Sequence, residues 1–215
     1  MDYGPEGNRW DFDPQAARYD EIVSGESFLY ARYDKVLDAV AGVASVAKGE
    51  RVLDIGVGTG NLAGRFLRRG AHVVGLDPSE GMLARARSKF GGNQGLELHQ
   101  ARDPFIVVPF PGAAFDAVVS TYAWHHVPPR LKPRSLNEMV RVLKPGGVLA
   151  IGDLMFESED AETEALRTYP WLEEEHFVRL DGLAPLFAER GMTLACRQFT
   201  PVTWVIWGRS SGQDA

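Results

Sequence analysis

Cysteine is nearly absent: Cys196 is the single thiol in 215 residues, so no disulfide can close within the chain. That usage fits a reducing compartment. Long apolar runs are missing too, and none approaches the ~20 residues of a membrane-spanning helix. Basic residues are in deficit, with 23 Lys and Arg against 29 Asp and Glu and a formal charge of −6. A nucleic-acid binder normally carries a basic face, so nucleic acid is not an expected partner, nor is a membrane. The five histidines come without cysteine partners or a His-x-x-x-His pair, and no metal site is expected. The opening Met1-Asp2-Tyr3-Gly4-Pro5 is acidic and polar, unlike the basic and apolar parts of a secretory signal. These absences predict a soluble, cytoplasmic protein.

What is present is ordinary globular composition, 45% hydrophobic and 24% charged, at a length suited to a single domain over 1–215. Residues 14–24 and 27–46 read as helices, the second with Leu29, Tyr33, Val36, Leu37 and Val40 at helical spacing. Short apolar strands follow at Arg51–Ile55, His72–Leu76, Leu96–Gln100, Ala117–Ser120 and Val148–Gly152. Helices fall between them, the first ended by Gly70, the second by Gly91-Gly92, and one running from about Pro133 to Leu143. A polar segment at 157–164, a helix near 181–190 and a strand pair at about 192–199 and 202–208 complete the chain. Alternation of strand and helix predicts an α/β fold with a mostly parallel, doubly wound sheet of seven strands and helices on both faces. The closing hairpin supplies one antiparallel C-terminal strand.

The most informative stretch is Val52-Leu53-Asp54-Ile55-Gly56-Val57-Gly58-Thr59-Gly60-Asn61-Leu62. It reads as a strand, a glycine turn and a helix start, and the glycines let the backbone approach a ligand closely. A dinucleotide fingerprint would need glycine at 61, where Asn61 stands. The stretch instead resembles motif I of Rossmann-like S-adenosylmethionine methyltransferases. Val73–Met82, Phe115–Val127 and Glu138–Ile151 follow in the order that family uses, with Ala17-Arg18-Tyr19-Asp20 ahead of them. Together they are similar to the small-molecule branch of class I, and most of all to short bacillus-type proteins with an aromatic-His-His segment after strand 4. The resemblance divides the chain into an N-terminal helical cap over 1–46 and a Rossmann-like core over 50–208.

The resemblance also implies roles. S-adenosylmethionine is the expected cofactor, S-adenosylhomocysteine (SAH) the product, a small molecule the acceptor, and the protein a monomer or homodimer. Gly56, Gly58 and Gly60, with Asn61 and Leu62, underlie the cofactor's methionine portion, whose amino group Asp54 orients. Asp77, with Pro78, ends strand 2 where a carboxylate can accept ribose hydroxyls; the alternative is a helix cap. Met82 covers an adenine face or packs in the core. After strand 3, strict counting puts Arg102 at the adenine position, but the adenine amine needs an acceptor, which favours Asp103. Asp103 has its own alternative, capping a short helix from Pro104. Ser120 and Tyr122 also border the cofactor, Tyr19 belongs to a lid, and Arg32 and Tyr33 are candidates for the methionine carboxylate.

The reaction face carries His125 and His126 after strand 4 and Asp153 after strand 5. A carboxylate there can orient an imidazole as proton acceptor for a hydroxyl. His125 is preferred over His126; the alternative is that either ring caps the loop. Trp124, Glu175 and His176 are the expected acceptor contacts. Competing readings are an N- or S-methyltransferase without a dedicated base, a non-catalytic binder of the cofactor, and an NAD-dependent oxidoreductase. The last is disfavoured by Asn61 and by the unexplained Lys144-Pro145-Gly146-Gly147 turn.

Overall fold

The computed structural model describes residues 12–25, 28–169 and 176–211. Its centre is a sheet of strands β1 (Arg51–Ile55), β2 (His72–Asp77), β3 (Leu96–Gln100), β4 (Phe115–Thr121), β5 (Leu143–Phe156), β7 (Ala195–Thr200) and β8 (Thr203–Arg209). The order is β3-β2-β1-β4-β5-β8-β7, and β8 alone runs antiparallel to its neighbours. The expected architecture therefore holds, with one added strand. The two-residue β6 (Val178–Arg179) pairs with Met155 and Phe156 at the far end of β5, making eight strands where the sequence suggested seven. The reason is the length of β5, which begins five residues before Val148 and continues four beyond Gly152.

Side chains alternate between two cores, as expected of a sheet covered on both faces. On β5, Leu149 and Ile151 join one core, while Val148 and Ala150 join the other. Helix α6 (Lys132–Val142) and α8 (Leu183–Ala188) cover the first face. Helices α3 (Tyr33–Ala44), α4 (Ala63–Leu67) and α5 (Glu80–Phe90) cover the second.

The N-terminal helices differ from expectation. The 14–24 segment is two short helices, α1 (Asp13–Ala16) and α2 (Tyr19–Ser24), separated by a turn at Ala17-Arg18. Helix α3 starts at Tyr33 because Arg32 takes a left-handed conformation (φ 63°) that breaks any continuous helix from 27. The polar 157–164 segment opens α7 (Glu159–Thr168), started by Ser158 accepting from the Ala161 amide. None of its residues is buried, so it carries no apolar stripe to announce it.

Within the 1–46 region the α3 residues pack into the core. Val36, Leu37, Val40 and Ala41 of α3 are completely buried against the sheet, so α3 is core and only the residues before it overlie the cleft. Leu37→Ala is therefore expected to lower stability by ~2–5 kcal/mol, the range for a buried leucine, measured by urea unfolding without ligand. A detachable cap through residue 46 would leave that transition unchanged.

Candidate active site

The strands β1, β2 and β4 end at a common crevice, the place where open α/β sheets bind ligands. The glycine turn is fastened to β2: the Gly56 and Val57 amides both donate to the Leu76 carbonyl, at 2.8 and 3.0 Å. Gly58 N donates to Asp77 Oδ2 at 2.8 Å, and Ser79 N to Asp77 Oδ1 at 2.9 Å. Both glycines hold positive φ, but for different reasons. A Cβ on Gly56 would stand 2.4 Å from that of Ala123, whereas one on Gly58 would meet nothing and project into open space.

That space is a cleft open to solvent, lined by Phe12, Tyr19, Gly56, Gly58, Asp77, Pro78, Met82, Thr121, Tyr122, Ala123 and His126. A second hollow beside Trp207 and Arg209 lies at the opposite end of β8 and holds none of these groups. Below the cleft sits Asp54, 1% exposed, with no hydrogen-bond partner on either carboxylate oxygen. Burial first, and the nearby Asp77 second, push it up to about 8. Burial likewise raises Asp77 to about 6, against the pull of the Ser79 and Gly58 amides. Asp77 is not the cap of α5; Ser79 is, accepting from Met82 N at 3.0 Å.

Asp103 starts no helix. Its backbone carbonyl holds the following turn, while its side-chain Oδ1 is buried without a partner and Arg102 is exposed. Asn61 faces the cap, donating to Asp20 and to the Tyr33 hydroxyl. Leu62 is core. Ser120 is fully buried and its hydroxyl is spent on the Ile55 carbonyl, which fixes β1 against β4. Tyr122 has φ 50°, a sparsely populated conformation for a bulky residue. Its ring stacks on Tyr33 (5.2 Å between centroids) and meets Tyr30 edge-on at 5.5 Å. Arg32 is exposed.

The paired histidines split. His125 is buried, its Nδ1 2.5 Å from Asp153 Oδ1 and its backbone amide 3.0 Å from Oδ2. Burial pushes Asp153 up, but His125, the Leu154 amide and Lys132 together hold its carboxyl below the ordinary range. His126 lies over His125 with ring centroids 3.9 Å apart, and it is His126 that lines the cleft. The sequence favours His125 over His126 as the catalytic ring; in the structure Asp153 of β5 holds the His125 ring inward, and His126 lines the cleft.

Trp124, expected as an acceptor contact, is not among the residues that line the cleft. It is completely buried, its indole N–H bonds Ser135 Oγ at 2.8 Å, and its carbonyl accepts from Lys132 Nζ. His176 stands beside the site through its backbone, whose amide donates to the His125 carbonyl at 3.2 Å. Glu175 lies outside the described residues. Sequence reasoning missed Lys132, a buried ammonium 4.8 Å from the Trp124 ring centroid, because an exposed helix start is the usual place for such a lysine. Among the described residues no His, Cys, Asp or Glu cluster can hold a metal ion, and no helix is long and apolar enough to cross a membrane.

The residues present fit an adenosyl cofactor: a buried carboxylate lacking a cation, and a glycine turn open on its ligand side. Because the folded chain keeps the protons of Asp54 and Asp77 above the pH at which the unfolded chain has lost them, ligand-free stability falls as pH rises from about 4 to about 8. Asp54→Asn is expected to flatten most of that fall in melting temperature between pH 6 and 9. An unchanged pH profile would count against an uncompensated carboxylate here.

A family model described as a methyltransferase domain matches residues 52–147. An uncharacterized methyltransferase of Geobacillus kaustophilus is 33% identical over 208 residues, covering 91% of this chain and 93% of that protein. In solved structures, magnesium protoporphyrin IX methyltransferase of Synechocystis, with SAH bound, shares the fold at a TM-score of 0.74 and 16% identity. That alignment covers 93% of this chain and 96% of the other. The cyclase SpnF matches equally well, with a TM-score of 0.74, 17% identity and 93% of each chain covered. Fold likeness at such identities speaks for architecture alone. Sequence likeness over nine-tenths of the Geobacillus relative carries more, and by it the chain belongs to the S-adenosylmethionine-dependent methyltransferases.

Proposed function

We propose that this methyltransferase acts on a small-molecule hydroxyl and that His126 takes the proton the acceptor loses. The observation that carries the reading is the contiguous group His126–His125–Asp153, with one imidazole at the cleft and the other, tilted against it, held by a buried carboxylate. When bound, S-adenosylmethionine supplies an electrophilic methyl for in-line displacement, so holding the acceptor beside it accounts for much of the acceleration. A hydroxyl also needs a base near neutral pKa, which an imidazole provides. His125, donating Nδ1–H to Asp153, acts as a positioning residue that sets the His126 ring at the cleft wall. Phe12 and Tyr19 overlie the same cleft, which favours a small acceptor over a macromolecular one.

Cofactor binding in this reading falls to the acceptors at the strand ends. Asp54 receives the cofactor's ammonium, relieving the burial that raises its pKa. Asp77 retains lone pairs for the ribose hydroxyls after binding Gly58 and Ser79, and Asp103 offers its unpartnered oxygen to the adenine amine. Pro78 and Met82 form the adjoining wall.

Asp77→Ala should weaken SAH binding by roughly 1.5–3 kcal/mol, the scale of hydrogen bonds to a charged group. It should also lower ligand-free stability, since two backbone amides lose their acceptor. Unchanged affinity in calorimetry would reduce Asp77 to a structural part.

An acceptor screen coupled to SAH release identifies the substrate class. On a hydroxyl acceptor, His126→Ala should lose ~10²–10⁴ in turnover with SAH affinity preserved. His125→Ala and Asp153→Asn should lose less. A His126→Ala enzyme at near-full rate beside an inactive His125→Ala would move the base to the buried pair. Modest losses in every variant, on an amine or thiol acceptor, would favour transfer without a base.

A further inference from the structure

The segment before α3 is fastened to both cofactor turns by aspartates that the reaction above does not use. Asp20 in α2 accepts from Thr59 Oγ1 at 2.6 Å and Asn61 Nδ2 at 3.0 Å, both in the glycine turn. Lys89, near the end of α5, closes this group, 3.0 Å from Asp20 Oδ2 and 2.6 Å from Asn61 Oδ1. Asp13 in α1 accepts from Ser79 Oγ and, at 2.8 Å, from the Gly81 amide, at the first turn of α5. One acid therefore grips the turn after β1 and the other the turn after β2. The cleft-lining Phe12 and Tyr19 lie beside these two grips, each next to one of the aspartates in the chain.

The fit is close as well as polar. A Cβ on Gly81 would stand 3.0 Å from Asp13 Oδ1 and 3.1 Å from Ala16 Cβ, so α1 rests directly on the start of α5. A cap held at two points on opposite cofactor turns cannot swing aside while either holds. The Asp20–Lys89 pair is partly exposed, with side chains 35% and 27% accessible, so salt reaches and weakens it.

We propose that Asp13 and Asp20 are positioning residues that latch the cap across the two cofactor turns, and that release of the adenosyl product waits for this latch to open. The inference rests on the family assignment and holds whatever the acceptor. In this account Asn61, where the dinucleotide fingerprint has glycine, supplies one of the donors that hold Asp20.

The test is a chase of labelled SAH from the full-length protein by excess unlabelled SAH, followed in time. Asp20→Ala and Asp13→Ala each remove an acceptor of several hydrogen bonds and should speed release about tenfold or more. Asp20→Asn keeps some of those bonds but loses the ion pair. It should release SAH at an intermediate rate and lose the acceleration by salt that the wild type shows. Gly81→Ala tests the latch without touching a charge: alanine suits a helix better than glycine, so ligand-free melting should not fall while release still quickens. Release within twofold of wild type in all these variants would overturn the proposal. So would a loss of affinity that arises wholly from slower association.

Discussion

The site depends on the way the glycine turn is tied to the end of β2. Two amides of the turn share the Leu76 carbonyl and a third takes Asp77, so the turn cannot move independently of the neighbouring strand. This arrangement places Asp54 beneath the turn and Asp77 beside it, two carboxylates within one buried region. Burying one such group without a cation is costly, and Asp54 answers by holding its proton. A ligand that brings a positive charge removes that cost. The stability given up in the free protein is thereby returned on binding, which is how strained or unsatisfied groups persist at functional sites.

The opposite wall solves a different problem. Tyr122 turns the chain sharply after β4, with a positive φ, and the next residues wind into a tight 3-10 turn at Trp124–His126. Trp124 anchors that turn in the core through Ser135, and Asp153 holds His125 from below. With two of its three side chains fixed inward, the turn leaves His126 to face the cleft. Firm support beneath a cleft-facing imidazole is what the proposed general base would require. That the same fold serves the cyclase SpnF is a reminder that chemistry resides in such local groups.

Much of this was legible in the residues. Short apolar runs alternating with helical segments marked the parallel strands, and the strand-turn-helix around Gly56–Gly60 marked the cofactor side. Strand ends, surface helices and the direction of individual side chains were less visible. α7 buries nothing, so its sequence shows only polarity. β6 forms because β5 happens to extend far enough to offer it an edge. The roles of Trp124, His125 and His126 could not be separated from adjacency alone, since a 3-10 turn points three consecutive residues in three directions. Asp13 and Asp20 were equally hidden: their partners lie more than 35 residues away in sequence.

Calorimetry of SAH binding near pH 7, in two buffers of different ionisation enthalpy, tests the central claim about Asp54 most directly. If Asp54 is protonated in the free protein and ionised against the ligand's ammonium, binding releases most of one proton, and Asp54→Asn abolishes that release. Binding of SAH with no proton release in the wild type would contradict the account, as would tight binding of NAD in place of SAH.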